Sequence, residues 1–384
     1  MTFLLAGVSV RALAQSAVRA GYRIVAADYF GDSDLEALAP CRSLLRQGQA
    51  PYDARALPGL VAGLAYDAVA YVANLENHPG VVTALAGGRP VVGNPPETLR
   101  RVRHWPTLRR VCAEEGLAMP PTLFPGEEGQ AGSQARWLKK PVKSGGGHGI
   151  AFWDARPLAA GWYLQAHVAG PSASAVVAAN GRDCVVLGLS EQRIGDPVLG
   201  AHGFRHCGNI APLAPELGGG EVLTEAVTDM AARLTRHFGL RGVYGIDFIV
   251  APGHDAAPRP VFLEVNPRPT ASAELLEERG LAAVFDVHVT ASSGRLPSPP
   301  PTLAKGPCLA KGIVFAARAC RIPRDGSWLR PELRDVGRPG DAIAPGRPIC
   351  SVLTQGETRQ EALASLHAIA RELTHTLESE GNAS

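Results

Sequence analysis

Within the first hundred residues, short apolar runs alternate with segments of helical periodicity, and that alternation restricts the possible folds more than any other feature of the chain. Phe3 to Ala6 reads as a strand. Arg11 to Ala20 places Leu13, Ala14, Ala17 and Val18 on one helical face and stops at Gly21; Ile24 to Ala27 is the next strand. Ala68 to Val72 and Val91 to Val92 supply further strands. Such a succession covers both faces of a parallel sheet with helices, so residues 1–98 are expected to form a doubly wound α/β unit. The first turn, GVSVRAL, has one glycine where a dinucleotide site needs Gly-x-Gly-x-x-Gly, which makes it a weak NAD or FAD signal. Ser9 and Arg11 follow that strand, either as contacts for a small ligand or as a helix cap and a surface arginine.

After Asn94-Pro95-Pro96 the pattern predicts one helix over Glu97 to Glu115, ended by Gly116. From Trp137 onward, strands separated by glycine loops take over. Gly242 to Val250 and Pro260 to Val265 read as two arms of a hairpin around the turn-rich APGHDAAPR. The proline-rich stretch 294–307 reads as a connector. Beyond it, 308–384 is strand-rich and closes with a helix that carries Ala362, Leu363, Leu366, Ile369, Ala370 and Leu373 on one face. The expected segments are therefore 1–98, 99–293, 294–307 and 308–384.

Charge excludes some partners. Basic and acidic side chains number 38 and 36, and a net charge of +2 gives no global field toward nucleic acid or a lipid surface. No stretch approaches the roughly 18 uncharged apolar residues of a spanning helix, and the N-terminus lacks the basic flank and cleavage site of a signal peptide, so a cytoplasmic location is expected. The seven cysteines contain no Cys-x-x-Cys, which fits neither a disulfide framework nor a zinc knuckle. His202, His206 and Cys207 show no helical spacing that would align them on a metal. Lysine is scarce: of five in the chain, Lys139, Lys140 and Lys143 lie together.

That cluster opens RWLKKPVKSGGGHGI. An extended run delivers Lys140 just before Pro141. Ser144, Gly145, Gly146, Gly147, His148 and Gly149 then supply backbone with little side-chain obstruction, which can approach phosphate and donate several N–H groups to it. The alternative is a flexible loop with a solvated basic cluster. The second cluster is YGIDFIV with VFLEVNPRPTAS. Glu264 and Asn266 share a strand face, and Asp247 joins them if the register agrees. Two carboxylates and an amide are hard oxygen ligands suited to one or two Mg²⁺ or Mn²⁺ ions on nucleotide phosphates, and Arg268 follows to clamp an oxyanion.

In combination, KPVKSGGGHGI and LEVNPRPTAS resemble the ATP-grasp superfamily, in particular the predicted ATP-dependent carboligases related to biotin carboxylase. The resemblance implies an N-terminal α/β domain, a two-part nucleotide clamp with a lid over about 122–175, and a C-terminal strand-rich domain. It implies that Lys140 holds the α- and β-phosphates of ATP, that Ser144 to Gly149 form the lid, and that Gln165, His167 and Val168 run along the adenine. Asp247, Glu264 and Asn266 match the metal ligands, and Arg268 the arginine that stabilises an acyl-phosphate and its adduct. Two departures stand out: Arg103 takes the place of the usual first lysine, and Gln165 that of a glutamate. No biotin attachment is expected, since Lys305 and Lys311 lie outside any Met-Lys-Met.

The implied reaction activates a carboxylate with ATP and passes it to an amine. An amino acid such as glutamate joined to a coenzyme precursor is one version, bicarbonate-dependent carboxylation is a second, and a nucleotide-binding regulator without turnover is a third. Ser9, Arg11, Glu76, Asn209 and Ser272 are the candidate substrate contacts, with helix capping the competing role for Glu76. A homodimer is a family expectation.

Overall fold

The structure is a computed structural model that describes residues 1–253, 257–299, 306–326 and 328–380. Strands β1 (Thr2–Ala6), β2 (Arg23–Asp28), β3 (Cys41–Ser43) and β4 (Ala68–Tyr71) form a parallel sheet in the order β3-β2-β1-β4. Helices α1 (Arg11–Arg19), α2 (Ser33–Glu36) and α3 (Leu57–Leu60) connect the strands, and α4 (Pro79–Ala86) follows the last. Alternate residues of β1 enter different cores: Phe3 and Leu5 pack with Ala14 and Ala17 of α1, whereas Leu4 and Ala6 pack with Leu57, Val82 and Leu85. A strand side chain reverses face at every residue, so a wholly apolar strand is stable only where both faces are covered. Two expectations are corrected here. Val91–Val92 contributes one bridge, to Val69, and Val18 lies 39% exposed at the edge of the buried face of α1.

The single helix expected at 97–115 is two, α5 (Pro96–Val102) and α6 (Trp105–Glu114). Pro106 has no N–H to give to Val102 and its ring crowds that carbonyl, so a new helix begins with the proline in its first turn. The break leaves Arg103 at the end of α5, with its side chain turned into the protein.

Two sheets then face each other. The smaller contains β5 (Thr122–Leu123), β6 (Trp137–Pro141), β7 (Ala151–Phe152) and β8 (Trp162–Ala166) in the order β5-β8-β6-β7. The larger is antiparallel and has eight strands. It contains β9 (Ser172–Asn180), β10 (Cys184–Ile194), β11 (His206–Ala211), β12 (Arg241–Pro252) and β13 (Pro258–Asn266). The C-terminal residues add β14 (Cys308–Phe315), β16 (Leu333–Arg334) and β18 (Pro348–Gly356), while β15 (Cys320–Arg321) pairs β17 (Ala342–Ile343). Helices α7 (Glu221–Phe238), α8 (Ser272–Glu278), α9 (Val284–Ser292) and α10 (Arg359–Glu380) cover the large sheet. Ala173, Ala175, Val177 and Ala179 of β9 pack under α7, and Val176 and Ala178 point the other way into the core shared with β1 and α9.

The strand-rich C-terminal segment therefore does not stand apart in the sheet. β14 pairs β11, with Asn209 opposite Lys311, so hydrogen bonding continues across what the sequence reads as a connector. Residues 300–305 of that connector, Lys305 among them, lie outside the described residues, as do 254–256 of the hairpin loop. Among the described residues no helix is long and apolar enough to cross a membrane.

Candidate functional site

The β12–β13 pairing settles the register left open by the sequence. Asp247 lies directly opposite Glu264 and Gly245 opposite Asn266, so the three oxygen-bearing side chains share one face. A bulge follows Asp247, the kind of local twist that re-aims a side chain beside a site. Asn266 Nδ2 donates to Asp247 Oδ2 at 2.9 Å, and Arg103 Nη1 donates to Glu264 Oε2 at 2.9 Å. Burial, and next the Glu264 charge, push the Asp247 carboxyl up to about 7. Glu264 goes the other way: burial alone would raise it, but Arg103, followed by Lys140 and Arg268, holds it below the ordinary value.

Lys140 reaches this face from the smaller sheet. Its Nζ donates to Gln165 Oε1 at 2.7 Å, and Gln165 Nε2 donates to Thr122 Oγ1 at 3.3 Å. Burial pulls the ammonium below the ordinary lysine value, opposed by Glu264 and then Asp247 across the cleft. Lys139, one residue earlier on β6, lies on the other face with Nζ 4.8 Å from the Trp162 ring centroid. The buried Gln165 thus supports Lys140 from behind. At His167 the backbone N–H is taken by Arg136 O at 2.7 Å.

The glycine loop closes against the large sheet. His206 N–H donates to Gly146 O at 3.0 Å, and Asn77 Nδ2 donates to Ser144 O at 3.3 Å. Gly147 has φ +76°, and a Cβ there would lie 1.8 Å from Phe204 O, so no other residue permits this approach. Phe152 stacks edge-on to Phe204 at 5.5 Å on the same side.

Arg268 completes the cluster, with Nη2 at 3.0 Å from Glu76 Oε1 and 3.2 Å from Asn266 Oδ1. Glu76 is 1% exposed and belongs to this ion pair; α4 begins after His78 without a side-chain cap, which removes the capping role. Residues 107–272 match the family described as ATP-grasp domain. The protein carries an ATP-grasp domain.

Relatives agree on this architecture. A stretch covering 35% of the chain is 25% identical to formate-dependent phosphoribosylglycinamide formyltransferase of Synechococcus sp. (strain RCC307), and the match spans only 36% of that relative. Biotin carboxylase from Campylobacter jejuni, solved with an ATP complex, superposes with TM-score 0.70 at 14% identity over 97% of this chain and 95% of that one. N5-carboxyaminoimidazole ribonucleotide synthetase from Thermus thermophilus superposes with TM-score 0.67 at 19% identity, over 97% and 98%. These likenesses establish the ATP-grasp fold, and enzymes of this superfamily use ATP with Mg²⁺.

Not every candidate reaches the ATP-grasp cleft. Asn209 is buried in β11 directly opposite Gln192, on the sheet face that carries Asp247; its Nδ2 donates to Ser190 Oγ and the Glu191 carbonyl, and its Oδ1 pairs with His206 Nε2, so its amide is held by neighbours. Ser272 opens α8 and pairs its hydroxyl with Thr270 at 3.0 Å. Arg11 is 1% exposed and committed to Glu274 at 2.5 Å and Asp335 at 3.0 Å, with Ser9 Oγ at 3.4 Å from the same Asp335. Lys311 Nζ adds a second cation 2.5 Å from Glu274. This network joins α1, α8, β14 and the residues after β16, and it corrects the reading of Arg11 as either a surface residue or a ligand contact. Two further residues lie beside the cluster: Gln192 of β10, which the sequence left unmarked and which is within reach of Asp247, and His206, which the sequence weighed only as a metal ligand, whose imidazole burial pushes down and which also feels Arg268. Only register shows their place beside Asp247 and Arg268, because a lone Gln or His on a strand carries no pattern.

Beside the Arg11 network, Asp32 is buried, and burial followed by the charge of Asp335 pushes its carboxyl up to about 9. A carboxyl raised in the folded state binds a proton that the unfolded chain releases near its ordinary 3.8, so folding stability falls as pH rises from there toward 9. Asp32→Asn removes this titration. Its melting temperature should exceed that of the parent at pH 8 and match it at pH 3.5; equal gaps at both values would show that Asp32 is ionised in the fold.

Proposed function

We propose that the protein is an ATP-dependent ligase that activates a carboxylate as an acyl-phosphate and joins it to an amine, releasing ADP and phosphate. The observation that carries this reading is the convergence, from two facing sheets, of Lys140 with Asp247, Glu264, Asn266 and Arg268 under the glycine loop. Lys140, Arg103 and the backbone of Ser144 to Gly149 take the phosphates, and Val168 N–H with the neighbouring carbonyls takes the adenine edge. Mg²⁺ fits the donor set on an observation of this structure: Asp247 is driven toward protonation beside an ionised Glu264, so the pair is short of one cation. Asp247, Glu264 and Asn266 would hold the metal, which supplies charge neutralisation on the transferring phosphoryl group.

The rest falls to the chain itself. Arg268 orients the carboxylate and stabilises the developing oxyanion. The closed glycine loop excludes water, which protects an acyl-phosphate from hydrolysis. One of the two joined molecules is an amino acid such as glutamate and the other a coenzyme precursor, a reading that rests on the family likeness. Measuring ADP release with bicarbonate alone and then with glutamate plus primary amines tests the class: turnover that needs bicarbonate and ignores amines would make the protein a carboxylase. No ADP under any condition, despite ATP binding, would make it a regulator.

The strand phase has its own test. Lys140→Ala should weaken ATP binding by roughly ten- to hundredfold, or about 1.5–3 kcal/mol, the usual worth of a charged hydrogen bond. Lys139→Ala, which removes a cation from the Trp162 face, should leave affinity unchanged in the same fluorescence titration. The opposite ranking would turn β6 over.

A further inference from the structure

The direction of Arg268 depends on the turn that carries it. Its N–H returns to the Asn266 carbonyl at 2.7 Å, a tight i→i+2 closure across Pro267. Of the guanidinium's partners, Asn266 Oδ1 at 3.2 Å and the Pro269 carbonyl at 3.3 Å ride on the same turn, so neither can fix it against the rest of the cleft. Glu76 holds the side chain from outside. The turn itself needs an anchor, and its buried Pro267 carbonyl needs a donor.

Both come from the N-terminal unit. Asn94 Nδ2 donates to Pro267 O at 3.1 Å, and Tyr71 Oη, at the end of β4, lies 3.2 Å from the same oxygen. A hydroxyl has one proton, and the shorter bond of Tyr71 runs to the Asn94 carbonyl at 2.6 Å, so Tyr71 acts chiefly by holding Asn94. On its other side, Asn94 Oδ1 accepts the Arg241 N–H at 2.9 Å, where β12 begins. An N–H can only donate and a carbonyl only accept, which fixes which way this amide points. Asn94 is 0% and Tyr71 2% exposed, so water does not substitute for these bonds.

The chain before Asn94 is clamped as well. Gly93 N–H donates to Ser292 Oγ at 2.9 Å in α9. The His288 ring of the same helix accepts the Val243 N–H on Nδ1 at 2.8 Å, which leaves the ring proton on Nε2, 3.2 Å from the Val92 carbonyl. A Cβ on Gly93 or Gly242 would lie within 2.7 Å of that ring, so the two backbones grip the imidazole from both sides. We propose that Asn94, braced by Tyr71, is the positioning residue for Arg268: it ties the Pro267–Arg268 peptide to the N-terminal unit and so aims the guanidinium between Glu76 and Asn266. The proposal rests on the ligase reading, in which Arg268 orients the carboxylate, and names what sets that orientation.

Arginine side-chain NMR on the full chain labelled in arginine tests it, with the Nε–Hε signal of Arg268 identified by its loss in Arg268→Lys and that of buried Arg11, identified by its loss in Arg11→Met, as the control. Asn94→Ala should displace the Arg268 signal and leave the Arg11 signal in place. It should also lower kcat for ADP formation by about 10–10²-fold, the cost of a misplacement near 1 Å, with KM for ATP within about twofold of the parent. Because Asn94→Ala strands the buried Arg241 N–H and can unfold the chain, Tyr71→Phe is the second variant: it keeps the ring and Asn94, should move the Arg268 signal, and should lower kcat by about two- to fivefold, the worth of one neutral hydrogen bond. An Arg268 signal unmoved in the folded variants, Arg268 and Arg11 signals that shift together, or an unchanged kcat would overturn the assignment and make Asn94 a strut of the fold alone. A parent that binds ATP but forms no ADP would sink the ligase reading, and the Arg268 signal would then decide the positioning by itself.

Discussion

Glu264→Ala should lower Mg²⁺-dependent ADP formation by about 10²–10³-fold, the usual effect of removing a group aimed at developing charge in a dry site. Glu264 is the residue on which the cleft's cations converge: Arg103 bonds it at 2.9 Å, and Lys140 and Arg268 both act on it electrostatically. On the proposed reading, deleting it removes a metal ligand and leaves Asp247 as the remaining carboxylate of the set. The fold should survive, because Arg103 keeps its bonds to Asn77 Oδ1 at 3.1 Å and to the Val265 carbonyl at 3.3 Å. Glu264→Gln retains an oxygen for Arg103 but not the charge, and its loss of rate should be nearly as large. Steady-state ADP release, read beside circular dichroism, checks both. A Glu264→Ala protein that is folded and as active as the parent would remove this carboxylate from the chemistry.

Arg11→Met should cost about 3–5 kcal/mol of folding stability, the usual price of breaking a buried ion pair from one side. The guanidinium is 1% exposed and bonds Glu274 twice, Asp335 and Gln15. Without it, Lys311 alone faces Glu274 and Asp335, with Asp34 nearby. The pH dependence has a defined sign. Burial raises the Glu274 carboxyl, but Lys311 and then Arg11 outweigh it and hold it at about 2, below its ordinary 4.5. A depressed carboxyl contributes stability above its unfolded value and loses it as pH falls through the folded one. The gap between parent and Arg11→Met should therefore be full above about pH 5 and shrink toward pH 2. Urea unfolding at several pH values measures it, and a gap below about 1 kcal/mol at neutral pH would place the network among ordinary surface pairs.

Much of the architecture was legible in the sequence because it follows from local periodicity. A period of two along Phe3–Ala6 and along β13 states which side chains share a face, and the glycine run after Lys140 states where backbone can come close to an anion. The face shared by Glu264 and Asn266 and the opposite faces of Lys139 and Lys140 needed nothing beyond strand alternation. The helix break at Arg103 was also encoded locally, in Pro106, although apolar periodicity alone runs through it.

Other features depend on partners far apart in the chain. Arg103 and Glu264 are 161 residues apart, Arg11 and Asp335 324, and His206 meets the glycine loop through a backbone bond that no side-chain pattern announces. The same distance dependence turned Arg11 into a buried strut, gave Glu76 to Arg268 in place of a helix cap, and filled the Asn209 amide with neighbours. It also ran the large sheet past the proline-rich connector, since a strand shows which residues it buries but not which edge it joins. Sequence by itself determined faces, turns and a glycine run whose backbone can be approached closely, all set by φ/ψ preference and side-chain alternation within a few residues. Only the tertiary structure decided pairings, because burial and charge neutralisation depend on which distant groups the register brings within about 3 Å.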